Sequence, residues 1–391
     1  MKRAFKVIAP LLGAASVMAA CGSSSSTASS STSTTAAASS GSSGSSSNYG
    51  LKLNADGTPD LKGVTLHLGI SGGNPVPGDT TNYVLAQMLK KWGATVSYTI
   101  GGGPSMQLAV VSGQLDDADG QFSSSLDAGL QIIAPAMTHV DDVLVSSKYT
   151  SVSQLKGATV ATSSNLDPGN YLGGVLSKAQ GWGSNGLKMT FTGADSSTVD
   201  QLISGHLTSA FVAAEDLVTL KAHGTFNVLQ TAAQISPDYA DSFNAALPSW
   251  VKTHQADVLA IDLAWWAAAK VFDTNTAAWD SYAEQYTNNA ATPAAVTLQR
   301  QALEQFNPWP NTPADANTIL SDQVIQTNYA ANLAAGQMKG AGLNRSASSM
   351  ADLGPWQLSA KIAAKYPSIY EEPACNTVRF EQFTKTSHLW W

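Results

Sequence analysis

Polar side chains that could hold a small molecule are gathered in a few short loops, each standing where a β-like run gives way to a helical one. After VTLHLGI comes SGGNPVPGDTTNY, in which Gly72 and Gly73 let a backbone approach a ligand, Asn74 offers an amide and Tyr83 a ring with a hydroxyl. Asp79 or Thr80 is placed to cap a helix that starts near Thr81. After TVSYTI, the run GGGPS presents backbone N–H groups at Gly102 and a hydroxyl at Ser105 on the first turn of a helix. GQFSSS adds Gln121, Ser123 and Ser124. Further on, SSNLDPGNY brings Ser164, Asn165, Asn170 and Tyr171 to the mouth of another helix, where Asp167 and Pro168 fit the N-cap and first helical positions. Glu215 follows the run TSAFVA. Amides, hydroxyls and one carboxylate, with no nucleophile or metal cluster among them, are the chemistry of reversible binding.

Catalysis finds little to work with. No G-x-S-x-G elbow stands on a strand-to-helix turn. The six histidines, at 67, 139, 206, 223, 254 and 388, show no H-x-x-x-H spacing, so a zinc site is not expected. No catalytic residue, metal or cofactor is therefore assigned. Beyond the first few residues the only arginines are Arg300, Arg345 and Arg379, so neither strand-rich half holds the fork that clamps a planar anion. Asp79, Asp119, Asp127, Glu215 and Asp216 near the loop mouths suit a neutral or cationic ligand, heteroaromatic ones included, at least as well as an anion held by helix N-termini alone.

The elements that must position these loops alternate along the chain. Val64, Leu66, Leu68 and Ile70 recur every second residue, then Val84, Leu85, Met88, Leu89 and Trp92 recur at helical spacing up to Gly93. Thr95 to Ile100 predicts a second strand, and the next helix carries Met106, Leu108 and Val111. A second unit follows: strand Ala158 to Thr162, helix from about Gly169 to Gln180, strand Leu187 to Gly193, helix SSTVDQLISG and strand Thr208 to Ala213. Two βαβαβ halves in succession predict an α/β architecture of mainly parallel sheets flanked by helices. The segment from NVLQTAAQISPDY to VKTH closes the strand pattern, and from Pro248 to about Lys339 the spacing predicts helices, including Asp315 to Ala335. In one of them Trp265-Trp266 is expected to serve packing.

The first of only two cysteines, Cys21, follows Lys2, Arg3, Lys6, an apolar run from Val7 to Val17 and the small pair Ala19-Ala20. That arrangement predicts a secretory signal over residues 1–20, too short to span a bilayer, which needs about 20 apolar residues. MAAC resembles a bacterial lipobox with Met18 in place of the usual Leu, which implies a lipidated Cys21 as the mature N-terminus and a membrane anchor. Residues Gly22 to Ser47 are Gly, Ser, Thr and Ala alone, a flexible tether reaching roughly 30 Å. Removal of the signal takes three positive charges away and lowers the formal charge from −7 to −10, which excludes nucleic acid as a natural partner. Cys375 then has no second thiol to pair with.

The order of elements is similar to that of the extracytoplasmic solute-binding proteins of ABC importers with the type II periplasmic-binding fold, in the branch of nitrate, sulfonate, taurine and thiamine-pyrimidine binders. MQLAVVSGQLDDADG resembles the family's "aLqsGevDia" stretch, and SVSQLKGATVATSSNLDPGNYLGGVL its "sladLkGkkVavppGs" crossover. STVDQLISGHLTSAFVAAEDL resembles the "aL.sGqvDAavvwepy" element, with Ala214-Glu215-Asp216 where Trp-Glu-Pro would stand. NAALPSWVKTHQADVLAIDLAWWAAA resembles the segment that returns the chain to the first lobe. The resemblance implies two lobes joined by two crossover strands, with a small organic solute enclosed between them and passed to an ABC permease, by a monomer held outside the cytoplasm. A ligand-binding lipoprotein of a sensory system is the alternative, and a secreted enzyme a more distant one. The expected divisions are a linker over residues 21–59, lobe 1 over 60–150 and 241–340, lobe 2 over 151–240, and an extension without an assigned role over 341–391.

Overall fold

The computed structural model describes residues 48–71, 76–240, 242–288 and 290–370. Strand β1, Thr65–Ser71, turns Leu66, Leu68 and Ile70 inward by simple alternation. Helix α1, Thr80–Lys91, buries Val84, Leu85, Met88 and Leu89 on one stripe, and Gly93 at φ +104° turns the chain into β2, Thr95–Gly101. Then come α2, Gly103–Val111; β3, Asp117–Gln121; α3, Phe122–Asp127; and β4, Gln131–Met137. The apolar face expected of α2 is corrected here, because Met106, Gln107 and Val110 are buried while Leu108 is 67% exposed and Val111 43%. In nine residues that are mostly apolar the spacing carries no direction; packing against β3 chooses the face.

The second half holds β5, Val143–Ser146; β6, Thr159–Thr162; α4, Pro168–Ala179; β7, Lys188–Phe191; α5, Asp195–Ile203; β8, Ser209–Val212; α6, Asp216–His223; β9, Asn227–Thr231; and α7, Ala232–Ile235. The chain returns through β10, Ser242–Ala246, into α8, Pro248–Thr253; α9, Gln255–Thr274; α10, Thr276–Tyr286; α11, Pro293–Glu304; α12, Ala316–Ile319; α13, Asp322–Ala334; α14, Ala347–Met350; and α15, Gly354–Lys365. The helix expected over Asp315 to Ala335 is two, with Ser321 capping the second through Val324 N–H at 3.4 Å.

Two five-stranded sheets share one plan, β2-β1-β3-β10-β4 and β7-β6-β8-β5-β9. In each, four strands run parallel and one antiparallel: β10 lies between β3 and β4, and β5 between β8 and β9. The odd strand of each sheet is thus supplied by a segment arriving from the other, so the sheets are mixed and laced by two crossings. Strands β9 and β10 fall where the sequence pattern was expected to end, and β5 joins the second sheet although residues 60–150 were assigned to lobe 1. The short run SFNAA has no alternation to betray it; Asn244 is buried, and its Nδ2 donates to the Pro135 carbonyl at 2.9 Å.

The first lobe is built on α9, whose residues from Val258 to Ala269 are all buried, as expected of a helix apolar on every side. Trp265 and Trp266 are fully buried in it, and Trp356 of α15 stacks on Trp266 with ring centroids 4.7 Å apart. Their indole N–H groups find partners: Trp265 at the Ala136 carbonyl, Trp266 at Ser359 Oγ and Trp356 at the Ala316 carbonyl. Ala351 also bridges Ile132 of β4. The described part of 341–391 therefore completes the first core; residues 371–391, including Cys375, lie outside the described residues. At the other end, Leu51 and Leu61 are buried against the same core and Leu53 bridges Pro59. The linker expected to run to residue 59 thus gives way to packed chain by Leu51, where apolar side chains return to the sequence. No described helix is long and apolar enough to cross a membrane.

Candidate functional site

Parallel strands of this kind leave their carboxyl ends facing a crevice, which is where α/β sheets take ligands. On the first lobe those ends are Ser71, Gly101 and Gln121; on the second they are Thr162, Phe191 and Val212. Asp119, on β3 and 3% exposed, accepts from the Ser71 N–H and from Asn82 Nδ2 of α1. Burial pushes its carboxyl up to about 7 against the pull of those donors. Beside it stands an aromatic group: Tyr83 lies edge-on to Tyr98 at 5.5 Å and to Tyr282 at 6.2 Å, and 5.4 Å from Tyr286. Tyr286, from the distant helix α10, feels the charges of both Asp79 and Asp119.

From the second lobe Glu215 meets this surface. It stands at the N-cap position of α6 without a side-chain cap bond, is 5% exposed, and presses against Gly78, where a Cβ would stand 2.9 Å from its Oε2. The Gly78 amide favours its charged form, yet burial and the neighbouring Asp216, Asp141 and Asp79 hold the carboxyl well above the usual range. Glu215 Oε2 is a buried oxygen without a hydrogen-bond partner among the described residues. Asp141, in the crossing between β4 and β5, accepts from Ala214 N–H at 3.2 Å and is pushed up to about 6 by burial. Asp216 and Asp195, on the first turns of α6 and α5, are raised by burial to about 7 and about 6. Glu215 thus feels Asp216, Asp141 and Asp79, Asp216 feels Asp195, and Asp195 feels Asp167, while Asp79 and Asp119 both act on Tyr286.

The remaining expected residues divide into several groups. Gly73 and Asn74 lie outside the described residues, as does Cys21. Gly102 is the exposed N-cap of α2, and Ser105 spends its hydroxyl on the Gly102 carbonyl at 2.7 Å. Gln121 is the N-cap of α3, its carbonyl taken by Ser124 Oγ at 3.0 Å, and Ser123 is buried beneath it. Ser164 Oγ accepts from Leu166 N–H at 3.2 Å, and Asn170 Nδ2 donates to the Asn165 carbonyl at 2.9 Å, so this loop is largely folded on itself. Asp167 caps α4 through Gly169 N–H at 2.8 Å. Tyr171 packs against the crossover that returns the chain to the first lobe. It stacks on Tyr239 at 4.1 Å, and its hydroxyl pairs with Ser236 at 3.1 Å in the returning crossover. Asp127 also leaves the site, because it accepts from Lys339 N–H at 2.7 Å at the far end of α3. Asn82, Asp141, Asp195 and Tyr286 were not singled out; Asn82 alone carried a signal, one residue before Tyr83 in the same helical turn.

The buried acids make stability depend on pH. Each is protonated in the folded chain at pH values where an unfolded aspartate, near 4, is ionised. For Asp141, Asp119 and Asp216 the contribution is complete below about pH 4 and is lost as pH rises through the folded values of about 6 and about 7. The expected outcome is a thermal midpoint that falls steadily from pH 5 to pH 8, at about 1.4 kcal/mol per pH unit per titrating group. Differential scanning calorimetry across that range checks it; a midpoint that rises instead contradicts the burial of these carboxyls.

No family model matches the chain, and no curated protein sequence matches it. Solved structures do. A putative periplasmic sulfonate-binding protein of a sulfonate ABC transporter from Methylobacillus flagellatus matches at 18% identity, over 78% of this chain and 95% of that one, with a TM-score of 0.59. The periplasmic nitrate-binding protein of Synechocystis is 12% identical over 79% and 91%, TM-score 0.60. A zinc-bound ligand-binding component of an ABC-type import system from Staphylococcus aureus is 10% identical over 75% and 98%, TM-score 0.58. They are named for different ligands on one architecture, so the likeness speaks to the fold. This chain has the two-lobed α/β fold of the ligand-binding components of ABC-type import systems.

Proposed function

We propose that the protein is an extracytoplasmic solute-binding component of an ABC importer, which captures a small organic solute between its lobes and presents it to a membrane permease. The observation that carries this reading is Glu215. A side chain of lobe 2, buried and short of a partner, rests on the Gly78 backbone of lobe 1 amid the converging strand ends. A hinge closure that buries such groups is how two-lobed binders gain affinity. The crossings that would flex are held, among other contacts, by Thr138 on the Pro308 carbonyl and Ala240 on Asn328 Oδ1. The reading assigns no reaction to the protein.

A thermal-shift screen of the purified full chain against sulfonates, nitrate, pyrimidines, amines and amino acids tests it. A true ligand at 100 times its dissociation constant adds about 2.7 kcal/mol of stability; the absence of any stabilising solute contradicts the reading. The lipobox-like MAAC supports a working protein held on a membrane by a thioether-linked lipid at Cys21. Cys21→Ala is therefore expected to move nearly all of the protein from the membrane to the soluble fraction after cell lysis. An unchanged distribution in immunoblots of the two fractions contradicts the anchor.

A further inference from the structure

We infer that α11 is a latch: a helix fixed to the first lobe that meets α6 and β9 of the second along an incompletely filled seam, and so sets how often the lobes close without a solute. The inference concerns the unliganded chain and goes beyond the solute-binding reading.

One side of α11 is anchored. Val296 and Leu303 are fully buried in the core of the first lobe. Between them Thr297 Oγ1 donates to Asp280 Oδ2 of α10 at 2.9 Å, and Arg300 Nε donates to Asp280 Oδ1 at 2.7 Å. Arg300 is 7% exposed and also pairs with Glu304 one turn on. Pulling a buried guanidinium from its carboxylates strands a charge, so this face stays with the first lobe. The chain leaving the helix is tied down as well: Thr138 N–H and Oγ1 both donate to the Pro308 carbonyl, at 3.0 and 2.9 Å, and Trp309 Nε1 donates to the Ala136 carbonyl at 2.9 Å.

The other side of α11 meets the second lobe loosely. Leu298, Gln301 and Gln305 recur at helical spacing and line a groove of about 540 Å³, whose far wall is Leu217 and Val218 of α6 with Val228 of β9. Phe306, just past the helix, packs against the core of the second lobe. Leu298 nevertheless stays 50% exposed and Val228 44%. A permanent interface is packed like a protein interior and apolar at its centre; this seam keeps open space and two glutamines. Its apolar contacts favour closure, and its gaps keep that preference weak enough to reverse. Because α11 also touches the Pro77–Asp79 turn, where Glu215 meets the first lobe, the seam and the space between the lobes open and shut together.

The test is pulsed electron paramagnetic resonance on the full chain without solute, with Cys21 and Cys375 replaced by serine and nitroxides on Leu108→Cys of α2 and Phe191→Cys of β7. The distance distribution gives the closed-to-open ratio. Gln301→Leu adds apolar surface to the seam and is expected to raise that ratio about fourfold, the worth of roughly one buried methylene group. Phe306→Ala removes the ring lodged in the second lobe and is expected to lower it about tenfold. Circular dichroism checks that both variants fold; should Phe306→Ala not, Leu298→Ala, half exposed, takes its place and is expected to lower the ratio at least twofold. A parent chain wholly closed is read with Phe306→Ala alone, and one wholly open with Gln301→Leu alone. Where both populations are present, a ratio that fails to move in either variant, or moves the other way, overturns the latch. Since no solute is present, that outcome leaves the solute-binding reading standing; a solute screen without hits, with the ratios moving as expected, would sink that reading and keep the latch.

Discussion

Trp356→Ala is expected to lower the unfolding free energy by about 3–5 kcal/mol, the usual cost of emptying a buried aromatic site. Trp356 is fully buried, lies edge-on to Trp265 at 5.4 Å, stacks on Trp266 at 4.7 Å, and closes a hydrogen bond to the Ala316 carbonyl at 3.1 Å. Removing the ring forfeits contacts with two tryptophans of α9, around which the first lobe is packed, and takes one of two donors from that carbonyl, which keeps the Leu320 N–H at 2.9 Å. Urea unfolding followed by tryptophan fluorescence and circular dichroism measures the loss. A change below about 1 kcal/mol would mean that the segment after residue 341 is a dispensable appendage and not part of the lobe.

Gly78→Leu should weaken solute binding about 100-fold or more. Gly78 is where the lobes touch, and its Cβ would approach Glu215 Oε2 to 2.9 Å. An alanine there meets only the flexible end of a glutamate, which can turn aside; a leucine fills the space the closing lobes need. Affinity falls by the fraction of molecules still able to close, so a 100-fold loss corresponds to about 2.7 kcal/mol against closure. Titration calorimetry on the variant gives the number, and circular dichroism is expected to show the unliganded fold unchanged. Undiminished affinity would move the binding site away from this contact.

How much of this was legible in the sequence follows from how local each feature is. The period-two run in β1 and the helical stripe of α1 announce themselves within a few residues, and so do the loops at the strand ends. Tyr83 and Glu215 could be named because each stands directly beside such a loop. Tyr286 could not: it reaches Tyr83 and Asp79 from α10, and only the folding of the helical second half onto lobe 1 brings them together. Strand β10 was hidden for the same reason. Its residues Ser242–Ala246 become a strand by pairing with β3 on one side and β4 on the other, far away in the chain. The stack of Tyr171 on Tyr239 of the crossover was not visible, because a tyrosine on the first turn of a loop-led helix looks alike whatever it packs against. The acids near the mouths were visible as letters. That Asp119 and Glu215 are buried was not.

Single-molecule energy transfer most directly tests whether the lobes close over a solute. Dyes on Leu108→Cys of α2 and Phe191→Cys of β7, both exposed and on opposite lobes, would report the gap in a full chain whose Cys21 and Cys375 are replaced by serine. Titration with the solute that most raises the thermal midpoint should shift the population to higher transfer efficiency, and Gly78→Leu should abolish that shift. An efficiency unchanged at saturating solute would contradict closure and, with it, the assignment of the binding site to the space between the lobes.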